Sequence, residues 1–464
     1  MTLRPALGLA LAALMVGAMG CRRGAMNAGP AEPRLTNPVR MDAWAGDGGF
    51  FTTDEEPSRA DRKYGGGFRL PLSEDWRWQL PDEGRWALAR MELGAPALEG
   101  DQLLTGSSRQ AGMFVLDRLS GRVQRTVETS GPLQATPLAL YGDKTVQVEV
   151  PLAGTDEVMT REETVQAHIG WIVADTFGQV QRLDTDFEPV WETPYEAGGA
   201  IYRAPTLSGD MLLLSTARDQ VAAIDLAKGT WKWSYKREVA RTSMELAILG
   251  SPAPVMGDGV VLAGFSDGTL VGLDPGTGRL RWESRVGTGQ FPDIEAEPML
   301  VDGVLVVAAF DGPMLGLDPT TRRVLWTVED SGAVSSMDEG AGSVYTADAK
   351  GRVMSVVAET GEVEWVFEKR GKLFGPPRRA GGTVLVADVA GTLYGLDCYE
   401  GTLQWTYRPP DIRLAGVAAA ITVKDRQVVF PTTGGRLISL IAESGLTTDR
   451  SEEPSWRADR VIGW

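Results

Sequence analysis

Histidine is almost missing from this chain. One residue, His168, serves 464 positions, cysteine occurs twice, and no asparagine follows residue 37. Acid–base and nucleophilic catalysis draw heavily on His and Cys, so the toolkit for both is poor. No two His or Cys residues stand at metal-ligand spacing. Asp184-Thr-Asp186-Phe-Glu188 lacks the glycine and the further ligands of a calcium loop. A Gly-x-Ser-x-Gly elbow, a phosphate loop and a strand-borne Gly-x-Gly-x-x-Gly are all missing. No catalytic, cofactor or metal residue is therefore assigned. Positive charge is short as well: the formal net charge is −16. That argues against nucleic acid, and against electrostatic docking on anionic lipid. Cys21 and Cys398 lie far apart in unlike contexts, which predicts no disulfide.

A long hydrophobic run is missing too. Ala6–Met19 is apolar but too short to span a membrane, and with the basic start Met1–Arg4 it reads as a secretion signal over residues 1–20. It ends in Ala18-Met19-Gly20-Cys21, which resembles a bacterial lipobox, so Cys21 is the expected lipidation site. Residues 22–70 are rich in Gly, Pro, Arg and Asp without periodicity and read, with Cys21, as a lipidated tether. Some 50 flexible residues reach roughly 35–40 Å.

What the chain has in abundance is a repeat. Gly268-Thr-Leu-Val-Gly-Leu-Asp274…Gly278-Arg-Leu-Arg-Trp282 returns as Gly391-Thr-Leu-Tyr-Gly-Leu-Asp397…Gly401-Thr-Leu-Gln-Trp405. Aligned on Asp274, eight copies fall at Asp117, Asp184, Asp225, Asp274, Asp318, Val357, Asp397 and Ile441, with spacings of 67, 41, 49, 44, 39, 40 and 44 residues. A period in the low forties is that of a propeller blade. Each copy reads as strand, turn, strand. Asp267-Gly268 and Asp311-Gly312 are tight-turn dipeptides, and the anchor aspartates are placed to accept backbone N–H groups in Asx-turns. The strand before each anchor is apolar on both faces, as stacked sheets require, and carries a small residue at Ala223, Gly272, Gly316, Ser355, Gly395 and Ser439 for close approach. Trp233, Trp282, Trp326, Trp365 and Trp405 follow at a fixed offset and are expected to pack between blades.

The eighth copy has no Trp strand after Gly445, whereas Glu74-Asp75-Trp76-Arg77-Trp78-Gln79 resembles one. This predicts an all-β, eight-bladed propeller over residues 71–449, with four-stranded antiparallel blades and a ring closed by the N-terminal strand. Residues 450–464 are left as a tail. The 67-residue spacing predicts an extended hairpin or loop over 142–166, and the 49-residue spacing places extra chain between Trp233 and Gly257.

The Leu-x-x-Leu-Asp-x-x-Thr-Gly-x-x-x-Trp repeat resembles the PQQ-type propeller superfamily. From about residue 240 to 441 the chain is more closely similar to the BamB family, lipoprotein subunits of the outer-membrane β-barrel assembly complex. Asp293-Ile-Glu-Ala-Glu-Pro-Met-Leu-Val-Asp-Gly and Val344-Tyr-Thr-Ala-Asp-Ala-Lys-Gly-Arg-Val-Met354 carry that resemblance. It implies a non-enzymatic scaffold on the periplasmic side of the outer membrane that holds BamA through two adjacent loops. The matching positions are Leu246, Ile248 and Leu249 in one loop, where Leu249 stands in place of the family's Arg, and Asp293 and Glu295 in the other. Both loops follow a Trp strand and precede the next blade, so they emerge side by side on one rim. Apolar anchors beside carboxylates suit an interface; the alternative is that the aliphatics pack beneath their own loop. Two other functions fit the repeat. One is a propeller that binds a different envelope protein or ligand. The other is a PQQ-dependent dehydrogenase, although no adjacent cysteines occur and few polar residues suit a quinone with calcium.

Overall fold

The computed structural model describes residues 72–80, 94–151, 158–238, 252–329, 331, 334–340, 342–348, 350–370, 372–409, 417, 419–424 and 427–442. The expected signal segment, Cys21, the tether and the 450–464 tail lie outside these residues.

Eight separate four-stranded antiparallel sheets form the blades. Blade 1 comprises Ala97–Glu99, Gln102–Gly106, Ala111–Asp117 and Val123–Pro132. Blade 2 comprises Leu138–Pro151, Val158–Ala174, Gln179–Leu183 and Tyr195–Glu196. Blade 3 follows with Thr206–Ser208, Met211–Thr216, Gln220–Asp225 and Trp231–Lys236. Blade 4 has Val255–Gly257, Val260–Gly264, Thr269–Leu273 and Leu280–Arg285; blade 5 has Met299–Val301, Val304–Ala308, Met314–Leu317 and Val324–Val328. Blade 6 runs through Val334–Gly340, Ser343–Asp348, Arg352–Val357 and Val363–Glu368. Blade 7 runs through Arg378–Ala380, Thr383–Ala387, Leu393–Asp397 and Leu403–Tyr407. Blade 8 takes Thr422–Lys424, Gln427–Pro431 and Arg436–Ala442 from the C-terminal end, and its fourth strand is Leu72–Gln79. The N-terminal strand closes the ring as the repeat predicted.

There is no single core. The apolar residues form eight clusters, and each joins two consecutive blades. The closing one packs Trp76, Leu80, Val429 and Leu437 of blade 8 against Leu103, Phe114 and Leu116 of blade 1. The third strands are buried along both faces, as at Thr269–Leu273, because a neighbouring sheet covers each side.

The tryptophans lock these interfaces. Trp76, Trp191, Trp233, Trp326 and Trp365 each donate Nε1–H to the carbonyl one residue past the next blade's anchor: Arg118, Leu226, Pro275, Ala358 and Cys398, at 2.7–3.1 Å. The indole lies against the glycine four past that anchor; a Cβ on Gly361 would sit 2.5 Å from Trp326 Cδ2. That glycine must also be glycine for its backbone, with φ of +74°. The small residue before each anchor has a reason different from sheet approach. Gly272, Gly316 and Gly395 pair across the strand with Trp282, Trp326 and Trp405 of the same blade, whose rings cover them.

Three departures from the repeat are compensated. At Arg322 the glycine is replaced, φ stays at +63°, and the guanidinium lies 5.8 Å above the Trp282 ring. In blade 2 the loop is shorter, the left-handed residue is Phe187, and its side chain joins the blade 1–blade 2 cluster. There Arg125 stands in the Trp position and donates to Asp186 O and Glu188. Among the turn glycines, Gly268 has φ of +80°, whereas Gly312 stays outside the left-handed region; Pro313 follows it and restricts the preceding backbone.

Candidate docking face

Antiparallel order divides the ring into two faces. Turns between first and second strands, and between third and fourth, lie on one, here the turn face. Turns between second and third strands lie on the other, together with the connections from each blade to the next; this is the connection face. The chain enters blade 8 at Leu72, opposite Ala442, on the turn face. The 142–166 segment is the predicted hairpin: Leu138–Pro151 pairs with Val158–Ala174 out to Pro151↔Val158 and runs past the turn face by roughly 30 Å. Its root is fixed by a bulge beside Tyr141, by Tyr141 donating to Glu99, and by Lys424 at 2.6 Å from the same carboxylate. His168 packs there, 4.8 Å from the Trp171 ring, and burial holds its pKa below the usual histidine value.

Asp293 and Glu295 lie on the connection face, between the outer strand of blade 4 and the inner strand of blade 5. Alternation explains how they are presented. Ile294 and Ala296 are buried, each 1% exposed, and leave the two acids on the other side of the chain. The backbone is held rigidly: Phe310 N–H donates to Asp293 O at 2.7 Å and Ile294 N–H to Phe265 O at 3.2 Å. Arg203, from the blade 2–blade 3 connection, reaches Glu295 O through Nη2 at 3.4 Å. Enclosure by the surrounding protein pushes the Glu295 carboxyl up to about 7, and the neighbouring Asp293 adds to this while Arg203 opposes it. Asp293 is raised by the same enclosure and by the charges of Asp219 and Asp267. Both carboxyls are thus held in a site that resists their charge, which a cation would relieve.

Leu246, Ile248 and Leu249 fall within 239–251, outside the described residues. The start of that connection is fastened to blade 4 by Arg237, which meets Asp267 at 2.6 Å, Glu283 at 2.9 Å and Thr269 Oγ1 at 3.1 Å. The next connection along carries Asp293 and Glu295, so both loops leave the same face from adjacent blades.

One set of carboxylates escaped the sequence reading. Asp175, Asp348 and Asp388 are buried at the second-to-third-strand turns, and each accepts backbone N–H bonds from the residues two and four positions on, across Asp-x-x-Gly. The recurring Ala-Asp-x-x-Gly carries that signal, on the face opposite the Asp274-type anchors. Those anchors behave as expected, Asp274 accepting N–H from Gly276 and Thr277 at 3.1 and 2.9 Å.

Eight blades of this repeat make the chain an eight-bladed propeller of PQQ-like repeats. The family profile described as outer membrane protein assembly factor BamB matches residues 164–354 and 311–455. The chain belongs to that family. It is 28% identical over 231 residues to the assembly factor BamB of Kangiella koreensis, covering 48% of this chain and 56% of that one. To the BamB of Nitrosomonas eutropha it is 33% identical over 211 residues, covering 45% and 39%. The chain thus spans about half the length of the curated relatives it matches. The fold superposes on the crystal structure of BamB from Moraxella catarrhalis with a TM-score of 0.60 and 19% identity, over 80% of this chain and 100% of that one. A computationally designed protein, Ika8, matches with a TM-score of 0.57 and 17% identity, over 76% and 97%.

Proposed function

We propose that the chain is a non-enzymatic, periplasm-facing lipoprotein scaffold of the outer-membrane β-barrel assembly machinery that docks on BamA. Residues 1–20 are its signal segment, Cys21 bears the lipid, residues 21–70 are the tether, 71–449 the propeller and 450–464 a tail. Family membership carries this reading, and relatives named as assembly factors support a role without catalysis. The geometry of the connection face adds to it. Asp293 and Glu295 present desolvated carboxyls beside the connection that contains Leu246, Ile248 and Leu249, so a partner can meet apolar anchors next to acceptors for its cations.

The test is affinity capture of the tagged, lipidated protein from solubilised envelopes. BamA and further barrel-assembly subunits are the expected catch. Their absence from repeated captures overturns the reading. A second reading, docking on another envelope protein, is favoured by Leu249 in place of the family's Arg, and the same capture identifies that partner.

A further inference from the structure

The connection face of blades 6 and 7 is cationic, in a chain whose formal net charge is −16. Lys369, Arg370 and Lys372 lie in the connection between the two blades, and Arg378 opens the inner strand of blade 7. The fold brings two sequence-distant cations to the same place. Lys350 precedes Gly351, whose carbonyl accepts the Lys369 N–H at 3.1 Å. Lys369 Nζ lies 5.4 Å above the Tyr394 ring, and the charge of Arg408 acts on the Tyr394 hydroxyl.

Three carboxylates of these blades, Asp338, Asp348 and Asp388, are turned into the fold. Asp348 is enclosed and binds Arg352 at 2.7 Å, and Asp388 is enclosed and binds Lys372 at 2.7 Å and the Tyr394 hydroxyl at 2.9 Å. Asp338 accepts the Arg379 N–H at 2.6 Å and lies 3.6 Å from Arg378. Positive charge predominates among the described exposed side chains here: Lys350, Lys369 and Arg370 stand against Glu368, which is 53% exposed and lies 3.9 Å from the 96% exposed Arg370. Apolar surface borders it, since Val389 is 37% exposed at the blade 7 turn, which is tied to Leu373 O at 2.9 Å. Like charges held together with acids turned inward raise the local potential, which is the arrangement of an anion-docking surface.

We propose that this basic sector is a docking surface for an acidic, partly apolar segment of a partner protein, distinct from the contact through Asp293 and Glu295 two blades away. A protein segment is favoured over a lipid headgroup on two grounds. The chain enters the ring at Leu72 on the opposite face, and exposed Val389 beside the cations fits a peptide side chain.

The experiment uses full-length protein in native envelopes. Zero-length carbodiimide crosslinking is followed by peptide mapping, with Lys369→Glu/Arg370→Glu as the variant and melting curves as the folding control. The milder Lys369→Ala/Arg370→Ala pair covers any misfolding. The expected result is a Lys350 or Lys372 crosslink, through amines that both variants keep, to Asp or Glu in a net-acidic stretch of another protein, competed by soluble polyglutamate and reduced about tenfold in the charge-reversed variant. No such crosslink in wild type, or one unchanged in both variants, overturns the proposal. So does binding of the purified protein to phosphatidylglycerol vesicles that the same variants abolish, because the ligand is then lipid. Because Asp293 and Glu295 are untouched, BamA capture by these variants reports separately on the first docking contact.

Discussion

The interface lock makes a sharp prediction at Gly361. Two costs act there on Gly361→Ala. The backbone is left-handed, φ +74°, which costs an alanine roughly 1–2 kcal/mol. The new methyl would also lie 2.5 Å from Trp326 Cδ2 and 2.6 Å from Cγ, so the indole must move. Moving it breaks the 2.8 Å bond from Trp326 Nε1 to Ala358 O, worth about 1 kcal/mol. Overpacking of the blade 5–blade 6 interface adds about 1–3 kcal/mol. Gly303 supplies the control, with φ of +78° and nothing within 4 Å of a Cβ, so Gly303→Ala pays the backbone cost alone. Chemical denaturation of purified protein should place Gly361→Ala about 3–6 kcal/mol below wild type and Gly303→Ala about 1–2 kcal/mol below. In a Trp326→Ala background the extra cost at Gly361 should vanish. Equal destabilisation by the two alanines would refute the lock, as would a Gly361 penalty that survives removal of the indole.

Replacing Ile248 and Leu249 with Asp should cut BamA capture about thirtyfold, as loss of a buried anchor does, with the melting temperature kept; a sharp fall in melting temperature would assign them to the core instead. Asp293→Lys/Glu295→Lys should weaken capture less and in a salt-dependent way, checked by titration in 50–500 mM salt, a range in which about 10 Å screening sets in. Because the Glu295 pKa is raised to about 7, the free protein is partly protonated there near neutrality, and a partner cation needs the carboxylate. Capture should therefore strengthen as pH rises from about 5 to 8 and lose that dependence in Glu295→Gln. For Asp274 the pKa shift runs the other way. Bonds from Arg281 and Thr277 hold its carboxyl below the ordinary 3.8, so its stabilisation is present above that value and is lost as pH falls through the lower folded one. Asp274→Asn should melt lower than wild type at pH 7, and the two should converge in strong acid, as thermal scans across pH would read.

The period and the side-chain pattern determined much of this protein without coordinates. Spacing near forty residues dictated blades, and strands apolar on both faces could be satisfied only by sheets stacked on both sides. The missing Trp strand at the C-terminal end forced Trp76 into the last blade. These features are legible because they are local and repeated, so each copy corrects the reading of the others. Partnerships between blades were not legible. That Trp326 lies on Gly361, that Phe187 fills the place a Trp takes elsewhere, and that Arg125 reaches Asp186 depend on which sheets stack and how far each turn projects. The same holds for charge. Composition gave a uniformly acidic chain, yet packing turns Asp348 and Asp388 inward and gathers Lys350, Lys369 and Arg408 on one face. Burial, rather than the residue type at Glu295, sets where its proton leaves. A sequence fixes how many charges there are, but only the enclosing neighbours decide which of them meet water or a partner, because desolvation and Coulomb energy depend on distances that the chain acquires when the ring closes.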